Sequence, residues 1–330
     1  MEAPYAPPAY KDRRIGLIIF GITLMVFGAL CLLFVPLAVF VQVMTVKTTG
    51  QSNLRMILPS ILVYAGMGVL FVTLGIGSIK SRRWARALTL VLCWAWLVTG
   101  AITIVMFVWI GPTVFHAVAE IEGDPLPPSA LTVIILVGVC FFGVFFVLFP
   151  GLLILFYGSS NVKATVEAMD PRPRWTDACP LPVLGVSLLT GFAAMTLLTM
   201  PVAYNGALPL FGAILSGFAG GIGWLVLAAL LGYAAWSIYR LRVTGWWIMV
   251  AVLAVFTVSN VITFSRVDLM DLYRRMGYPE HQLELFEKMN IFSPGQIVVW
   301  NVVCAISIVG YLIFIKKHFQ RALPTRSAAI

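Results

Sequence analysis

Eight long apolar runs divide this chain, and none of them contains a Lys, Arg, Asp or Glu. A hydrocarbon layer about 30 Å thick takes roughly 20 apolar residues of helix to cross. The pattern therefore predicts spans at Ile15–Val43, Ile57–Ile79, Ala87–Phe115, Ala130–Tyr157, Leu181–Met200, Leu208–Ile238, Trp246–Phe264 and Gly295–Ile315. The runs are continuous, whereas barrel strands alternate at every second residue in segments of about ten. In lipid a helix satisfies its own backbone hydrogen bonds. The predicted fold class is thus an all-α integral membrane protein with eight transmembrane helices.

The segments between the runs set the domain organisation. Residues 1–14 form a Pro-rich cytoplasmic tail, 15–157 hold helices 1–4, and 158–180 connect them to helices 5–8 at 181–315. The second half includes an outer helical segment at 266–290, and 316–330 form a second cytoplasmic tail. The first apolar run is about twice the 7–15 residues of a secretory signal core and has no small-residue cleavage site, so it reads as a retained anchor.

Composition agrees. Hydrophobic residues make up 61% and charged residues 11%, an apolar excess no soluble core absorbs. The formal charge of +9 does not point to nucleic acid, because the cations sit in short groups beside the spans rather than in a basic stripe with interleaved aromatics. Counted by side, 16 Lys and Arg fall with the two termini and 6 on the opposite side, which predicts cytoplasmic termini and suggests a plasma (inner) membrane. The opposite side is acidic, with Glu120, Glu122, Asp124, Asp268, Asp271, Glu280, Glu284 and Glu287. Trp84, Trp236, Trp246 and Trp247 mark the inner boundary, where an indole finds both an apolar and a wet neighbour. Trp94, Trp96 and Trp224 lie deeper, facing other helices or lipid tails, with core packing the favoured role.

The two halves share an order of elements and some residues. Gly66-Met67-Gly68 answers Gly221-Ile222-Gly223, Ser78-Ile79 answers Ser237-Ile238, and Gly100–Thr103 answers Asn260–Thr263. With an even number of spans per unit, such copies would be two parallel four-helix repeats related by an axis along the membrane normal. The competing explanation is that apolar helices resemble one another by composition.

Candidate functional residues are few. Asn260, Asn301 and Gln296 are polar positions in or beside the outer parts of spans 7 and 8, with Ser259, Thr263 and Ser265 nearby. They read either as interhelical polar contact, worth on the order of 0.6 kcal/mol and up to about 2, or as a ligand site. Ala213, Gly217 and Gly221, spaced by four on span 6, predict a close helix-packing face. Arg172, Arg174, Trp175 and Asp177 in the connecting segment read as a docking surface or as a linker anchored by its Trp. Outside, Val267–Met276 predicts a short helix ended by Gly277, and Pro279 opens a second to about Asn290. Pro36 and Pro150-Gly151 predict helix kinks, the latter leaving a carbonyl in search of a partner. The phenylalanines of span 4, from Phe141 to Phe149, suit helix packing and lipid contact.

Chemistry is otherwise unmarked. His281 and Glu284, with His116, Glu120 or Glu122, have a conceivable metal spacing, but mixed charges on short exposed helices account for them, and no metal or cofactor is predicted. Cys31, Cys93, Cys140, Cys179 and Cys304 show no paired spacing and read as free thiols. No zinc-protease, nucleophile-elbow or phosphate-loop pattern occurs. The absence of intramembrane charge argues against ion-coupled transport. The expectation is a non-catalytic membrane subunit, scaffold or lipid-binding module, with membrane lipids and other membrane subunits as partners. The alternative is a transporter of a small neutral or apolar solute through the interface of the halves, and a lipid-modifying enzyme using loop residues is a third.

Overall fold

The computed structural model of the chain describes residues 10–49, 54–122, 127–289 and 294–320. Helices α1 (Arg14–Thr49), α2 (Leu54–Ile79), α3 (Arg83–Glu122) and α4 (Pro128–Phe142) come first; α4 passes through a π-helical turn, Gly143–Leu148, into α5 (Phe149–Gly158). The helix α6 (Ser160–Met169) and a 3-10 turn (Trp175–Asp177) lead to α7 (Leu181–Leu197) and α8 (Met200–Ala203). A hairpin of β1 (Leu208–Leu210) and β2 (Ala213–Leu215) precedes α9 (Gly217–Tyr239) and α10 (Val243–Phe264). Then come α11 (Leu269–Met276), α12 (Glu280–Met289) and α13 (Pro294–Gln320).

Among the described residues, eight helical stretches are long and apolar enough to cross a membrane, with α4–α5 and α7–α8 each counting as one. Their outward surfaces are apolar: α4 has no buried residue, and large side chains such as Leu136, Phe141 and Ile306 are exposed. That is the arrangement expected where lipid tails replace water. Among the described residues the fold is an α-helical membrane-type architecture with one small hairpin.

The chain forms two compact units: Met1–Phe40, Val63–Phe107 and Leu136–Leu181 make the first, and Val41–Leu62, Val108–Ile135 and Pro182–Ile330 the second. In the first, Leu17, Leu24, Leu74, Leu153 and Tyr157 build the core. Trp96 stands edge-on to Phe27 at 5.7 Å, Phe71 at 5.6 Å and Phe149 at 5.5 Å, so this deep Trp is a packing residue. In the second, Val183, Ile238, Trp246, Leu312, Ile315 and Phe319 pack together.

Three sequence expectations need correction. Span 6 does not start at Leu208: residues 208–215 form an antiparallel hairpin pairing Leu208 with Leu215. Its turn has Phe211 at φ +47° and Gly212 at +86°, the double left-handed pattern that matches strand twist. Ala213 is therefore in a strand and Gly217 opens α9 at φ +61°, so Ala213, Gly217 and Gly221 do not share a helical face. A short apolar run bounded by Gly reads alike as strand or helix, which is why the periodicity failed there. The connecting segment, expected to be a linker or docking surface without a helix of its own, also contains α6, which Ser159 caps by accepting from Val162 N–H.

The prolines act differently from one another. Pro36 lies within an uninterrupted α1. Before Pro150 the helix widens by one residue, with Phe149 N–H donating to Val144 O. Pro150 has no N–H to offer the Phe146 carbonyl, and Gly100 of α3 lies against it. A Cβ at position 100 would come 2.6 Å from Phe146 O.

Two helix hairpins have the same local geometry. At the end of α2, Arg82 N–H donates to Gly77 O and Ser81 N–H to Ser78 O; at the end of α9, Arg242 N–H donates to Ser237 O and Leu241 N–H to Ile238 O. Ser81 (φ +49°) and Leu241 (φ +56°) occupy the left-handed position of this helix-ending motif. In both hairpins the next helix crosses at small residues: a Cβ on Gly77 would be 2.6 Å from that of Ala85, and one on Gly245 would be 2.7 Å from that of Ser237.

Candidate functional site

The polar residues inside the second unit gather at one end of α10 and α13. Asn260, 5% exposed, donates through Nδ2 to Asn301 Oδ1 at 3.0 Å, and Asn301 Nδ2 donates to Ile297 O at 2.9 Å. Beside Asn260 and one turn along α10, Ser259 and Thr263 are each 1% exposed. They hold the tip of the β-hairpin: Ser259 Oγ accepts from Phe211 N–H at 3.0 Å, and Thr263 Oγ1 accepts from Gly212 N–H at 2.9 Å while donating to Ser259 O at 2.8 Å. The hairpin's left-handed turn points two backbone donors outward, and a membrane-embedded fold must satisfy them. Trp224 Nε1 closes the other side, donating to Ala207 O at 3.1 Å. Gln296 is half-buried at the start of α13.

This hairpin anchorage was missed from sequence. Ser259 and Thr263 were noticed only as extra donors near Asn260, and nothing in their spacing reveals a partner that lies in a loop 48 to 51 residues away.

At one end of the first unit, α6 and the connecting segment clasp the α2–α3 turn. Asp170 is 3% exposed. Both of its oxygens are engaged, Oδ2 by Arg174 Nε at 3.1 Å and Oδ1 by Arg174 Nη2 at 2.8 Å, with Arg82 Nη1 3.7 Å away and Arg83 N–H donating at 3.4 Å. The hydrogen-bonded Arg174 guanidinium holds the Asp170 carboxyl below the usual carboxylate range, against the opposing effect of burial, and Asp170 in turn raises Arg174. Arg83 reaches Asp177 at 3.3 Å and Glu167 at 3.5 Å, and Asp177 also accepts Arg174 N–H at 2.8 Å. The chain just before α1 joins in: Arg13 N–H donates to Thr165 Oγ1.

Of the four connecting-segment residues picked out from sequence, Arg174 and Asp177 are thus used within the protein. Arg172 and Trp175 are exposed. Asp170, which the sequence offers only as a loop residue for a lipid-modifying enzyme, and Arg83, which it offers only as a cytoplasmic cation, carry the most contacts. A buried carboxylate among prolines and arginines was the available signal, and its burial depends on α6.

Deeper in the same unit, Arg86 Nε donates to Tyr157 O at 2.9 Å, and Ser78 Oγ bridges Leu17 O and the Tyr157 hydroxyl. The second unit has a counterpart in Trp246 Nε1, which donates to Leu312 O at 2.7 Å.

After α10, Asp268 caps α11 and Gly277 ends it at φ +86°. Leu272 and Leu283 are buried, and Tyr273, Tyr278 and Phe286 form a ring cluster with centroids 5.2–5.6 Å apart. Burial pushes the Tyr273 and Tyr278 hydroxyls up. Among the described residues no group of three His, Cys, Asp or Glu could hold a metal; the side chains of Glu120, Glu122 and His281 lie outside the described residues. Cys31, Cys93, Cys140, Cys179 and Cys304 are free thiols.

Comparison with protein-family models, with curated proteins and with solved structures finds no match.

Proposed function

We propose that this chain is a non-catalytic polytopic protein of the plasma membrane, a subunit or scaffold that works through its packing surfaces. The observation that carries this reading is the fate of the intramembrane polar groups. Ser259, Asn260, Thr263 and Asn301 each hydrogen-bond within the protein, and three of these bonds tie a backbone loop or a second helix. A carrier would direct such groups toward its solute.

The reading includes two parallel four-helix repeats. What supports them is constant spacing in the contacts. A shift of 160 residues carries Arg82 to Arg242, Ala85 to Gly245, Arg86 to Trp246, Gly100 to Asn260 and Thr103 to Thr263; a shift of 155 carries their partners Phe146 to Asn301 and Tyr157 to Leu312. Composition alone does not place matching interhelical contacts at matching intervals. The shift differs by one residue from the Ser78 and Ser237 pairing suggested by the sequence. The basic turns between α2 and α3 and between α9 and α10 would both face the cytoplasm, by the excess of Lys and Arg on that side.

Two experiments test the reading. In a cysteine-free background, Lys80→Cys and Glu284→Cys should label from opposite sides of sealed vesicles; labelling from one side overturns the topology. Proteoliposomes should show no saturable flux of small neutral solutes such as glycerol or urea, and a flux abolished by Asn260→Leu overturns the scaffold role in favour of a carrier.

A further inference from the structure

The two basic turns differ in what surrounds them. In the first unit Arg82 and Arg83 are answered by Glu167, Asp170 and Asp177. Their counterpart in the second unit has no such clasp. Arg240 and Arg242 at the end of α9 lie at the same end of the unit as Lys316 and Lys317 at the end of α13, since Trp246 of α10 bonds Leu312 there. Among the described residues none of these four cations is in an ion pair. The sequence has no Asp or Glu at all over 178–267 or 288–330.

The four cations rest on aromatic rings. The Arg242 guanidinium lies 4.7 Å from the Trp236 ring centre and that of Arg240 6.0 Å; Lys316 Nζ is 4.6 Å from Trp246 and 5.4 Å from Trp247, and Lys317 Nζ is 4.3 Å from Phe314. A ring face steadies a cation without neutralising it. Trp236 and Trp247 are 44% and 56% exposed, at the ends of spans, where indoles meet headgroups.

We propose that this patch binds the phosphate of an anionic phospholipid of the leaflet that Trp236 and Trp247 face. Charge complementarity names the occupant: four uncompensated cations and exposed indoles at one span end fit a negatively charged headgroup whose acyl chains lie along the apolar flank. An acidic protein surface would meet the cations but would leave the indoles in water. The proposal rests on the membrane-embedded reading and not on the scaffold role.

The test compares detergent-solubilised full-length protein, mixed with equimolar phosphatidylglycerol and phosphatidylcholine, by native mass spectrometry. Wild type should retain phosphatidylglycerol in excess by about fivefold or more, the worth of roughly one effective cation near an anionic surface. Arg240→Gln with Arg242→Gln, and separately Lys316→Gln with Lys317→Gln, should each reduce that excess at least about twofold, and the four together should abolish it. The control Arg274→Gln with Arg275→Gln should leave it unchanged. Equal retention of both lipids by wild type, or an unchanged preference in the fourfold variant, overturns the site. Displacement of the lipid by millimolar glycerol 3-phosphate would show a free-phosphate site and overturn the lipid assignment. Alkaline carbonate extraction checks the premise separately: release of wild type into the supernatant would sink the membrane reading itself.

Discussion

The hydrogen bond between Asn260 and Asn301 gives the sharpest energetic test of the second unit. The pair joins α10 to α13 at 3.0 Å, and Asn260 is nearly inaccessible. Replacing Asn301 with Leu leaves the Asn260 amide without that acceptor in an apolar setting. Replacing Asn260 with Leu leaves Asn301 Oδ1 without its donor, although Asn301 still donates to Ile297 O. Replacing both removes the unmet groups together, so the double variant should lose less than the two single losses combined. Interhelical hydrogen bonds in lipid average about 0.6 kcal/mol and reach about 1.7, which is roughly threefold to eighteenfold in the unfolding equilibrium. The pair should fall in the upper half of that range because of its burial. Reversible unfolding of the four proteins in bicelles, followed by steric trapping, measures the coupling. Losses that add to within about 0.3 kcal/mol would refute the argument that the two amides serve each other.

Further outcomes follow from other contacts. Thr263→Val should destabilise by about 1–3 kcal/mol, the cost of an orphaned donor at Gly212, and should expose the 208–215 hairpin to protease, whereas Thr103→Val in α3, where the hydroxyl donates within its own helix to Thr99 O, should do neither. Gly100→Ala should cost about 1–3 kcal/mol in thermal or denaturant unfolding, because the added methyl meets Phe146. The folded-state carboxyl of Asp170 titrates below its ordinary value near 3.8. Its contribution is therefore complete above that value and is lost as pH falls below about 4 through the depressed folded pKa. Asp170→Asn should lower stability at pH 7 and flatten the wild-type decline below pH 4. Burial pushes the Cys179 thiol up to about 11, so only about one molecule in a thousand is thiolate at pH 8. A water-soluble maleimide should spare Cys179 in the folded protein and modify it after unfolding in SDS; rapid labelling of the native protein would contradict its burial.

The spans, helices α11 and α12 and the packing of Trp96 were legible in the order of residues alone. Each depends on local signals: an uncharged run longer than the bilayer is thick, Gly277 where a left-handed residue must end a helix, a large apolar ring with no polar duty. The Asn260 and Asn301 pair was legible too, because an antiparallel helix hairpin brings residues at equal depth together. The hairpin at 208–215 was not. Hydropathy reports what a segment is immersed in, and an eight-residue apolar loop folded against α10 has the same hydropathy as the first turns of a helix.

The charged residues divide along the same line. Their grouping beside the spans is visible in the sequence, but whether a cation is answered depends on distance in space. Arg82 and Arg83 are met by carboxylates only because α6 and the turn at Trp175–Asp177 fold back on them. Arg240, Arg242, Lys316 and Lys317 are left on aromatic rings because α13 ends there without an acid. Sequence alone determined that the chain is helical and built of long apolar spans. The tertiary structure decided which polar groups are consumed in holding loops and helices together and which remain available, because hydrogen bonds and ion pairs join residues that the chain order keeps far apart.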